Sequence, residues 1–593
     1  MEAEWRMHTK RADFNALGAR FGISPVVARV MVNRGIDTEA AMEEYLHAGL
    51  EKTHDPALMK DVEKAALIMK EKIETGRKIR IISDYDVDGV MSNYVLYDGL
   101  RTAGADVSYE IPDRILDGYG VNERMISDAH DDGVDTIITC DNGIAAFPAI
   151  ELAKSYGMTV IVTDHHEVPY ETDESGERRY KIVPADAVVD IKQPDCLYPF
   201  KEICGAVVAY KFLRVLYKVM NIAWDDELKY IEFLAIATVC DVMSLTDENR
   251  IYVKEGLKLL QCTRNVGLRA LMKCNSLEGK SLGAYHLGFV LGPCINATGR
   301  LKSAQEGLSL LLEKDEAAAL DKAKKVVELN ASRKQLTIEG TREALEQVEE
   351  ELQGDNVLVV YLPKLHESLA GIVAGRVREA FYKPVLVVTD GENGMLKGSG
   401  RSIEGYHMFD ALVEVSNLLD KFGGHELAAG FSLKAENLEG LRKSLNENEH
   451  LTAKELTPVK YIDVPMPTSY ANIAICEQLE ALAPFGKGNE KPLFGELRLN
   501  IRRISLFGSE GQYARVTYAN EKGLTAEGVD FDAASLKEKL ESWFDRETCE
   551  KALSGLPNDS RVDILYYPEI NEFRGVKKVQ IHAVDMRKSS NEG

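Results

Sequence analysis

The sequence predicts an α/β protein: a parallel-sheet domain, a long connecting helix, a smaller α/β domain and a β-rich final domain. Three patterns carry that expectation. Short β-branched runs alternate with helix-length segments from Ile79 onward, and the same rhythm returns after residue 354. Between them a charged, Ala-rich stretch at about 315–353 keeps a helical period. After about residue 454 a period-two alternation takes over.

Residues 1–70 read as short amphipathic helices, with apolar positions at helical spacing in VVARVMVNRGIDTEAAMEEYL. In 71–250 the runs IRIIS (79–83), DVSYEI (106–111), DTIITC (135–140) and MTVIVT (158–163) are strand-like, and each precedes a helix-length segment. Alternating strands and helices imply βαβ units and a parallel sheet covered on both faces. Helical patterns follow at 205–219 and 226–240. Residues 251–353 form a helical region that ends in the connecting helix. Residues 354–453 hold NVLVVY (356–361), PVLVVT (384–389) and HELAAGFSL (425–433), a second and smaller α/β domain. Residues 454–593 contain LFGELRLNIRRISLF, QYARVTYA, RVDILYY and KVQIHAV, the pattern of a small barrel.

Composition narrows the class. The 593 residues carry 72 Lys+Arg against 95 Asp+Glu, a net charge of −23, which excludes a protein held to nucleic acid by bulk positive charge but leaves room for a local basic groove. No apolar run reaches the roughly 18 residues of a bilayer span, and the start MEAEWRMHTK has no signal-peptide core. Nine scattered Cys without a CxxC pair argue against a disulfide framework and a thiolate zinc site, and fit a reducing cytoplasm.

The chemistry gathers where the first strands end. DYDVDG sets Asp84, Asp86 and Asp88 at alternate positions, CDNG supplies Asp141, Asp164-His165-His166 follows the next strand, and Asp241 closes the helix of ATVCDVMSL. Ligands of open parallel sheets lie beyond the carboxyl ends of the strands, so these segments converge. Any one such Asp is more often a helix N-cap, and a DG pair is usually a turn. Four segments bringing acids or His to one edge shift the balance to metal binding. Crowded carboxylates repel one another unless cations neutralise them. Oxygen ligands with one or two imidazoles suit Mg²⁺ or Mn²⁺, and two such ions about 4 Å apart suit phosphoryl displacement. A second constellation, Gly398-Ser399-Gly400-Arg401-Ser402 with Gly423-Gly424-His425, could cradle a phosphate, although SGR is commonly a turn and GGH commonly leads into a strand.

These pieces resemble the DHH phosphoesterase superfamily, and within it the bacterial single-strand-specific exonucleases. The matching motifs run in order through NRGI (33–36), DYDVDG (84–89), IPDR…GYG (111–120), CDNG (140–143), DHH (164–166) and QPDCLYPFKEICGAVVAYK (193–211). They continue with ATVCDVMSLTDENR (237–250), INATGRL (295–301), SGRS (399–402), FGGHELAAG (422–430) and LAPFGKGNEKPLF (482–494). The resemblance implies a DHH catalytic domain, a DHH-associated domain and a final OB-fold that holds single-stranded DNA. It implies Asp86, Asp88, Asp141, His165 and Asp241 as ligands of two Mn²⁺ or Mg²⁺ ions, with Asp141 bridging and Asp84 a ligand or a support for one. His166 would touch the scissile phosphate. Arg114, Arg300, Ser399 and Arg401 would hold strand phosphates, the 5′ phosphate included, with His425 opposite the metals.

The activity so implied is hydrolysis of single-stranded DNA from the 5′ end to 5′-mononucleotides, in DNA repair and recombination. It would act in the cytoplasm as a monomer, beside a helicase and a single-strand-binding protein. The rival within the superfamily is a phosphodiesterase of short RNA or cyclic dinucleotides, against which the extra residues after 454 count. Two positions depart from the pattern: Cys294 stands where many relatives have Arg, and Ile82 where many have a metal-binding His. In the final domain Arg502, Arg503, Arg574, Lys577 and Lys578 with Phe507, Tyr513, Tyr518 and Phe573 could supply charge and stacking, or the aromatics could be barrel core.

Overall fold

The computed structural model describes residues 2–118, 120–173, 177–224, 226, 228–391, 394–573 and 575–590. The chain forms two compact units, one of residues 49–456 with 486–489, the other of residues 1–48, 457–485 and 490–593.

The larger unit is built on a five-stranded parallel sheet in the order Asp106–Glu110, Lys78–Ser83, Thr136–Cys140, Thr159–Asp164, Ala187–Asp190. Its central strands are buried on both faces, which is why they read as continuous apolar runs. The fifth, AVVD, is too short to announce itself as a run. Helix Val87–Thr102 packs against helix Gly205–Met220 so closely that a methyl group on Gly99 would lie 2.3 Å from Leu213. Helix Ile231–Cys240 begins later than the pattern at 226–240 suggests, because Tyr230 before it has a φ of 77°, incompatible with a right-handed helix.

Helix Glu316–Glu351 is the expected connector, capped by Asp315, whose side chain accepts from Ala318 N at 2.8 Å. Its inward stripe begins with Ala319, Ala323 and Val326, buried in the core of the first domain. It ends with Ala344 and Val348, buried in the core of the second. That second domain has a mixed sheet in the order Leu419–His425, Ala428–Lys434, Met395–Arg401, Val385–Asp390, Leu358–Tyr361, and only the last pair is parallel. The SGR segment, which reads as a turn, lies inside strand Met395–Arg401. GGH likewise ends strand Leu419–His425 instead of preceding one. Gly398 is needed there because a Cβ would meet the Phe431 ring at 2.1 Å.

In the other unit five strands close a barrel in the order Phe494–Phe507, Tyr513–Ala519, Thr525–Asp530, Val576–Lys588, Arg561–Phe573 and back to the first, the OB arrangement. The amino-terminal residues belong with it. Strand Glu4–Met7, unforeseen in a region read as helical, pairs in parallel with Val459–Ile462. Val27, Met31 and Met42 of the helices that follow share the barrel's core. Helix Val62–Glu74 instead packs in the larger unit, so the structure divides the chain near residue 48 rather than 70. Among the described residues no helix is long and apolar enough to cross a membrane.

One buried ion pair locks the helices behind the sheet. Lys211 Nζ lies 2.9 Å from Glu248 Oε2, with side chains 1% and 0% exposed, and also donates to His54 O at 2.8 Å. The Tyr198 hydroxyl donates to the other Glu248 oxygen. Removing one partner would leave a bare buried charge, so Lys211→Met should lower stability by about 3–5 kcal/mol. Adding Glu248→Leu should recover much of that loss, since paired apolar replacements are often neutral. Urea melts of the single and double variants check this; a single-variant cost under about 1 kcal/mol would place the pair among weak surface bridges.

Candidate metal centre

Each functional carboxylate sits where one element stops and another starts. Asp86 caps helix Val87–Thr102, its Oδ1 accepting from Gly89 N at 3.1 Å, so the ordinary N-cap role and the metal-facing position coincide. Asp88, in the first turn, accepts from Gly205 N at 2.6 Å and Ala206 N at 2.8 Å, the start of helix Gly205–Met220. Those N–H groups and the helix dipole favour its negative charge. Asp141 follows strand Thr136–Cys140 with a left-handed φ of 60°, and Gly205 must lack a side chain because a Cβ would lie 2.7 Å from Asp141 Cβ. Asp241 caps the carboxyl end of helix Ile231–Cys240.

Asp164 organises the histidines. Its Oδ1 accepts from His165 N at 2.8 Å and His166 N at 3.2 Å and lies 2.7 Å from His166 Nδ1, while Oδ2 accepts from Ile144 N at 2.9 Å. His165 Nε2 then reaches Asp141 Oδ1 at 3.0 Å, Asp88 Oδ2 at 3.6 Å and Asp241 Oδ2 at 3.7 Å. Three overlapping groups result: Asp84, Asp86 and Asp141; Asp88, His165 and Asp241; Asp141, His165 and His166. Within each, the ligand atoms lie no more than 4.8 Å apart.

The electrostatics are those of a site built around positive charge. Burial, then the neighbouring carboxylates, push Asp84, Asp141 and Asp241 well above the ordinary carboxylate range. Asp88 is also raised by burial, against the pull of His165. Burial brings His165 down to about 4, which keeps its imidazole neutral with a lone pair to offer. For His166 burial acts the other way from its carboxylate partner, and Asp164 wins, raising it to about 9. Asp164, despite burial, is held at about 2 by the His166 charge. Asp84 Oδ1, Asp241 Oδ2 and His165 Nδ1 are buried without a hydrogen-bond partner among the described residues. Nearby Cys140, Cys204 and Cys240 have thiols pushed up by burial. The donor set is therefore oxygen and imidazole, which fits Mg²⁺ or Mn²⁺.

The side chains expected to hold phosphate lie close enough to bear on one another: Arg114 acts on Asp84, Arg300 and Arg401. The Arg114 guanidinium stacks 4.7 Å from the Tyr85 ring centroid, beside Asp84. Arg300 donates to Ser368 O across to the second domain, and burial followed by Arg114 and Arg333 lowers it to about 10. Arg401 Nη1 donates to Ser399 Oγ at 3.2 Å. Helix Ala370–Phe381 starts against that pair, with Gly371 so near that a Cβ would lie 2.6 Å from Arg401 Nη2. A serine, a guanidinium and a helix N-terminus are donors of the kind that suit a phosphate. His425 pairs with Ala428, which in turn pairs with Arg401, and it is depressed by burial and then by Arg401.

Cys294 is fully buried and presents nothing to the cleft, and Ile82 is buried with Met125 and Val162. Sequence reasoning missed Asp190. It ends the unforeseen fifth strand opposite Asp164, and burial followed by Asp164 raises it to about 8.

In the barrel Tyr518 is core, 1% exposed. Phe507 and Tyr513 instead begin a ladder of rings: Phe507–Tyr513 at 5.4 Å, Tyr513–Phe531 at 6.0 Å and Phe531–His582 at 5.6 Å, with Arg515 over Phe507. Arg502, Arg503 and Lys578 are exposed, and Lys577 pairs with Glu477 at 3.2 Å. Arg574 and the Phe573 side chain lie outside the described residues.

Mutual repulsion makes the metal-free centre costly. Asp141→Asn should therefore raise the melting temperature measured in EDTA, by about 1 °C for each kcal/mol relieved in a unit of this size, while shrinking the rise that Mn²⁺ produces in the parent. A variant that melts lower in EDTA would show that Asp141 is needed structurally and is not part of a repelling cluster.

Comparison with known proteins agrees with this layout. Profiles of the DHH family N-terminal domain, the DHHA1 domain and the RecJ OB domain match residues 78–238, 354–449 and 462–585. The single-stranded-DNA-specific exonuclease RecJ of Bacillus subtilis (strain 168) is 34% identical over 99% of this chain and 71% of its own. That of Escherichia coli (strain K12) is 30% identical over 94% of this chain and 95% of its own. Among solved structures, RecJ in complex with Mn²⁺ from Thermus thermophilus superposes with a TM-score of 0.80 at 26% identity, over 99% of this chain and 80% of that one.

Proposed function

Since the chain belongs to the RecJ family of DHH phosphoesterases, we propose that it hydrolyses single-stranded DNA from the 5′ end and releases 5′-mononucleotides. The observation that carries this reading is the set of overlapping ligand groups that share Asp141 and His165, with Arg114 near both Asp84 of these groups and the Ser399–Arg401 pair. Two Mn²⁺ or Mg²⁺ ions, held by Asp86, Asp88, Asp141, His165 and Asp241 with Asp84 beside them, would supply an acidified water and neutralise charge on the phosphoryl group.

The remaining roles belong to the chain's own side chains. His166, kept protonated by Asp164, donates to an oxygen of the scissile phosphate. Arg114 and Arg300 bind phosphates of the strand. Ser399, Arg401 and the start of helix Ala370–Phe381 seat the 5′ phosphate, with His425 at the rim. In the barrel, Phe507, Tyr513, Phe531 and His582 offer faces on which bases stack without regard to sequence. The single-strand specificity named for the relatives supports a place in DNA repair and recombination. We extend the reading to a monomer in the cytoplasm that works with a helicase and a single-strand-binding protein.

The test compares a 5′-phosphorylated strand of about thirty nucleotides, long enough for both the cleft and an OB-fold site, with the same duplex and with a dinucleotide. Mn²⁺-dependent release of mononucleotides from the labelled 5′ end of the single strand is expected; turnover of the dinucleotide alone would overturn the reading in favour of a short-substrate phosphodiesterase. Asp141→Asn should reduce kcat by well over tenfold, a barrier increase above about 1.4 kcal/mol. Arg401→Ala should erase the preference for 5′-phosphate over 5′-hydroxyl ends, a loss of roughly 10- to 100-fold from one charge-assisted contact. An unchanged ratio of rates on the two ends would remove Arg401 from that role.

A further inference from the structure

We infer that Arg333, at the middle of the connecting helix, binds a backbone phosphate of the strand on the floor of the cleft, aimed by Asn330 and, through it, by Cys294. The inference rests on the functional reading above and goes beyond it to a residue that no motif singled out.

Placement comes first. The inward stripe of helix Glu316–Glu351 runs Ala319, Ala323, Val326, Asn330, Thr337, Gly340, Ala344, Val348. Asn330 still touches the first domain, donating from Nδ2 to Cys294 Sγ at 3.2 Å. Gly340 already touches the second, where a Cβ would lie 2.7 Å from Leu365 Cδ1. Between them the helix crosses from one core to the other, and at about 100° per residue Arg333 falls inside the stripe. Thr337, the other inward residue of that span, turns its hydroxyl to Arg333 O at 2.8 Å.

The guanidinium is oriented but not neutralised. Its Nε and Nη2 both donate to Asn330 Oδ1, at 3.2 and 2.7 Å. Asn330 is 4% exposed, so the acceptor is fixed by burial as well as by the Cys294 thiol. No carboxylate lies within ion-pair distance of Arg333 among the described residues, in a chain with 95 Asp+Glu. The charges that bear on it include cations: Arg376 acts on Arg333, and Arg333 acts on Arg300, which in turn feels Arg114 beside the metal-binding acids. A half-buried guanidinium with no carboxylate in ion-pair distance is costly unless an anion completes it. The planar fork suits phosphate, and the residue reads no base.

The experiment measures binding of a labelled single strand of about thirty nucleotides by fluorescence anisotropy in EDTA, which needs no turnover. Arg333→Gln should raise Kd about tenfold or more for the lost charge-assisted contact. It should also flatten the log Kd against log salt slope by about 0.7. Arg333→Lys should restore the slope but only part of the affinity, since it keeps the charge without the fork. Asn330→Ala should weaken binding in the same direction and less. The Mn²⁺-induced rise in melting temperature should persist in Arg333→Gln, which separates phosphate binding from damage to the fold or the metal centre. An unchanged Kd and slope in folded Arg333→Gln would overturn the inference. Failure of the parent protein to cleave a strand that it binds in an Arg333-dependent way would instead overturn the functional reading and leave this one standing.

Discussion

The carboxyl edge of the parallel sheet is arranged around repulsion between buried carboxylates. Asp84, Asp88 and Asp141 are each under 5% exposed, and Asp241 is raised by burial and by Asp88 and Asp86. A fold does not bring such groups together without compensation. Part of it is structural. Asp88 takes the first N–H groups of helix Gly205–Met220, Asp86 caps helix Val87–Thr102, and Gly205 has no side chain where Asp141 approaches. The rest is left open in the form of buried oxygens without partners among the described residues, Asp84 Oδ1 and Asp241 Oδ2, beside a neutral His165. The compensation that is missing from the protein is what a divalent cation brings.

Such a centre requires a stiff frame, because each carboxylate comes from a different element. The parallel sheet supplies the common edge. The Lys211–Glu248 pair, with Tyr198 and His54 on the same two residues, ties helix Gly205–Met220 to helix Asp247–Leu260 and so fixes the N-terminus on which Asp88 depends. The connecting helix does the same on a longer scale. Because one unbroken helix is buried in both cores, the distance from the carboxylates to the Ser399–Arg401 pair is set by a rigid rod of 36 residues.

Much of this is legible in the sequence, for a physical reason: a carboxylate that ends a buried strand is marked by the apolar run before it. Asp84, Asp141 and Asp164 stand out in that way, and the structure brings them together with Asp86, Asp88, His165, His166 and Asp241. The strand AVVD is four residues long, so Asp190 at its end carries no such mark. The segment MLKGSGR forms a paired strand although SGR suggests a turn, because Gly398 is selected by the Phe431 ring and not by backbone curvature, and GGH ends strand Leu419–His425 where it reads as leading into one. The pairing of Glu4–Met7 with Val459–Ile462 spans most of the chain, and nothing local in EWRM specifies it. In the barrel, period-two alternation puts Tyr518 on the buried face with Ala514 and Val516, and Tyr513 on the opposite face with Arg515, where it joins the ladder of rings.

Charge illustrates the same difference between composition and placement. A net charge of −23 opposes any polyanion at long range, yet the Debye length in cells is only about 8 Å, so what matters is the sign of the nearest few groups. Next to the acid cluster those groups include Arg114, which acts on Asp84, Arg300 and Arg401, and Arg333, which acts on Arg300. Burial and neighbouring cations depress Arg300, Arg333 and Arg401, and none of these three has a carboxylate within ion-pair distance among the described residues. The surplus acids lie largely on solvated surfaces such as the outer face of helix Glu316–Glu351, where water and salt screen them. The unneutralised guanidinia and the unneutralised carboxylates do not simply pair with each other: Asp86 is the acid of the cluster that bears most on Arg300, and it already caps a helix. The two halves are complementary to a third body that carries both signs, a phosphate chain with its cations.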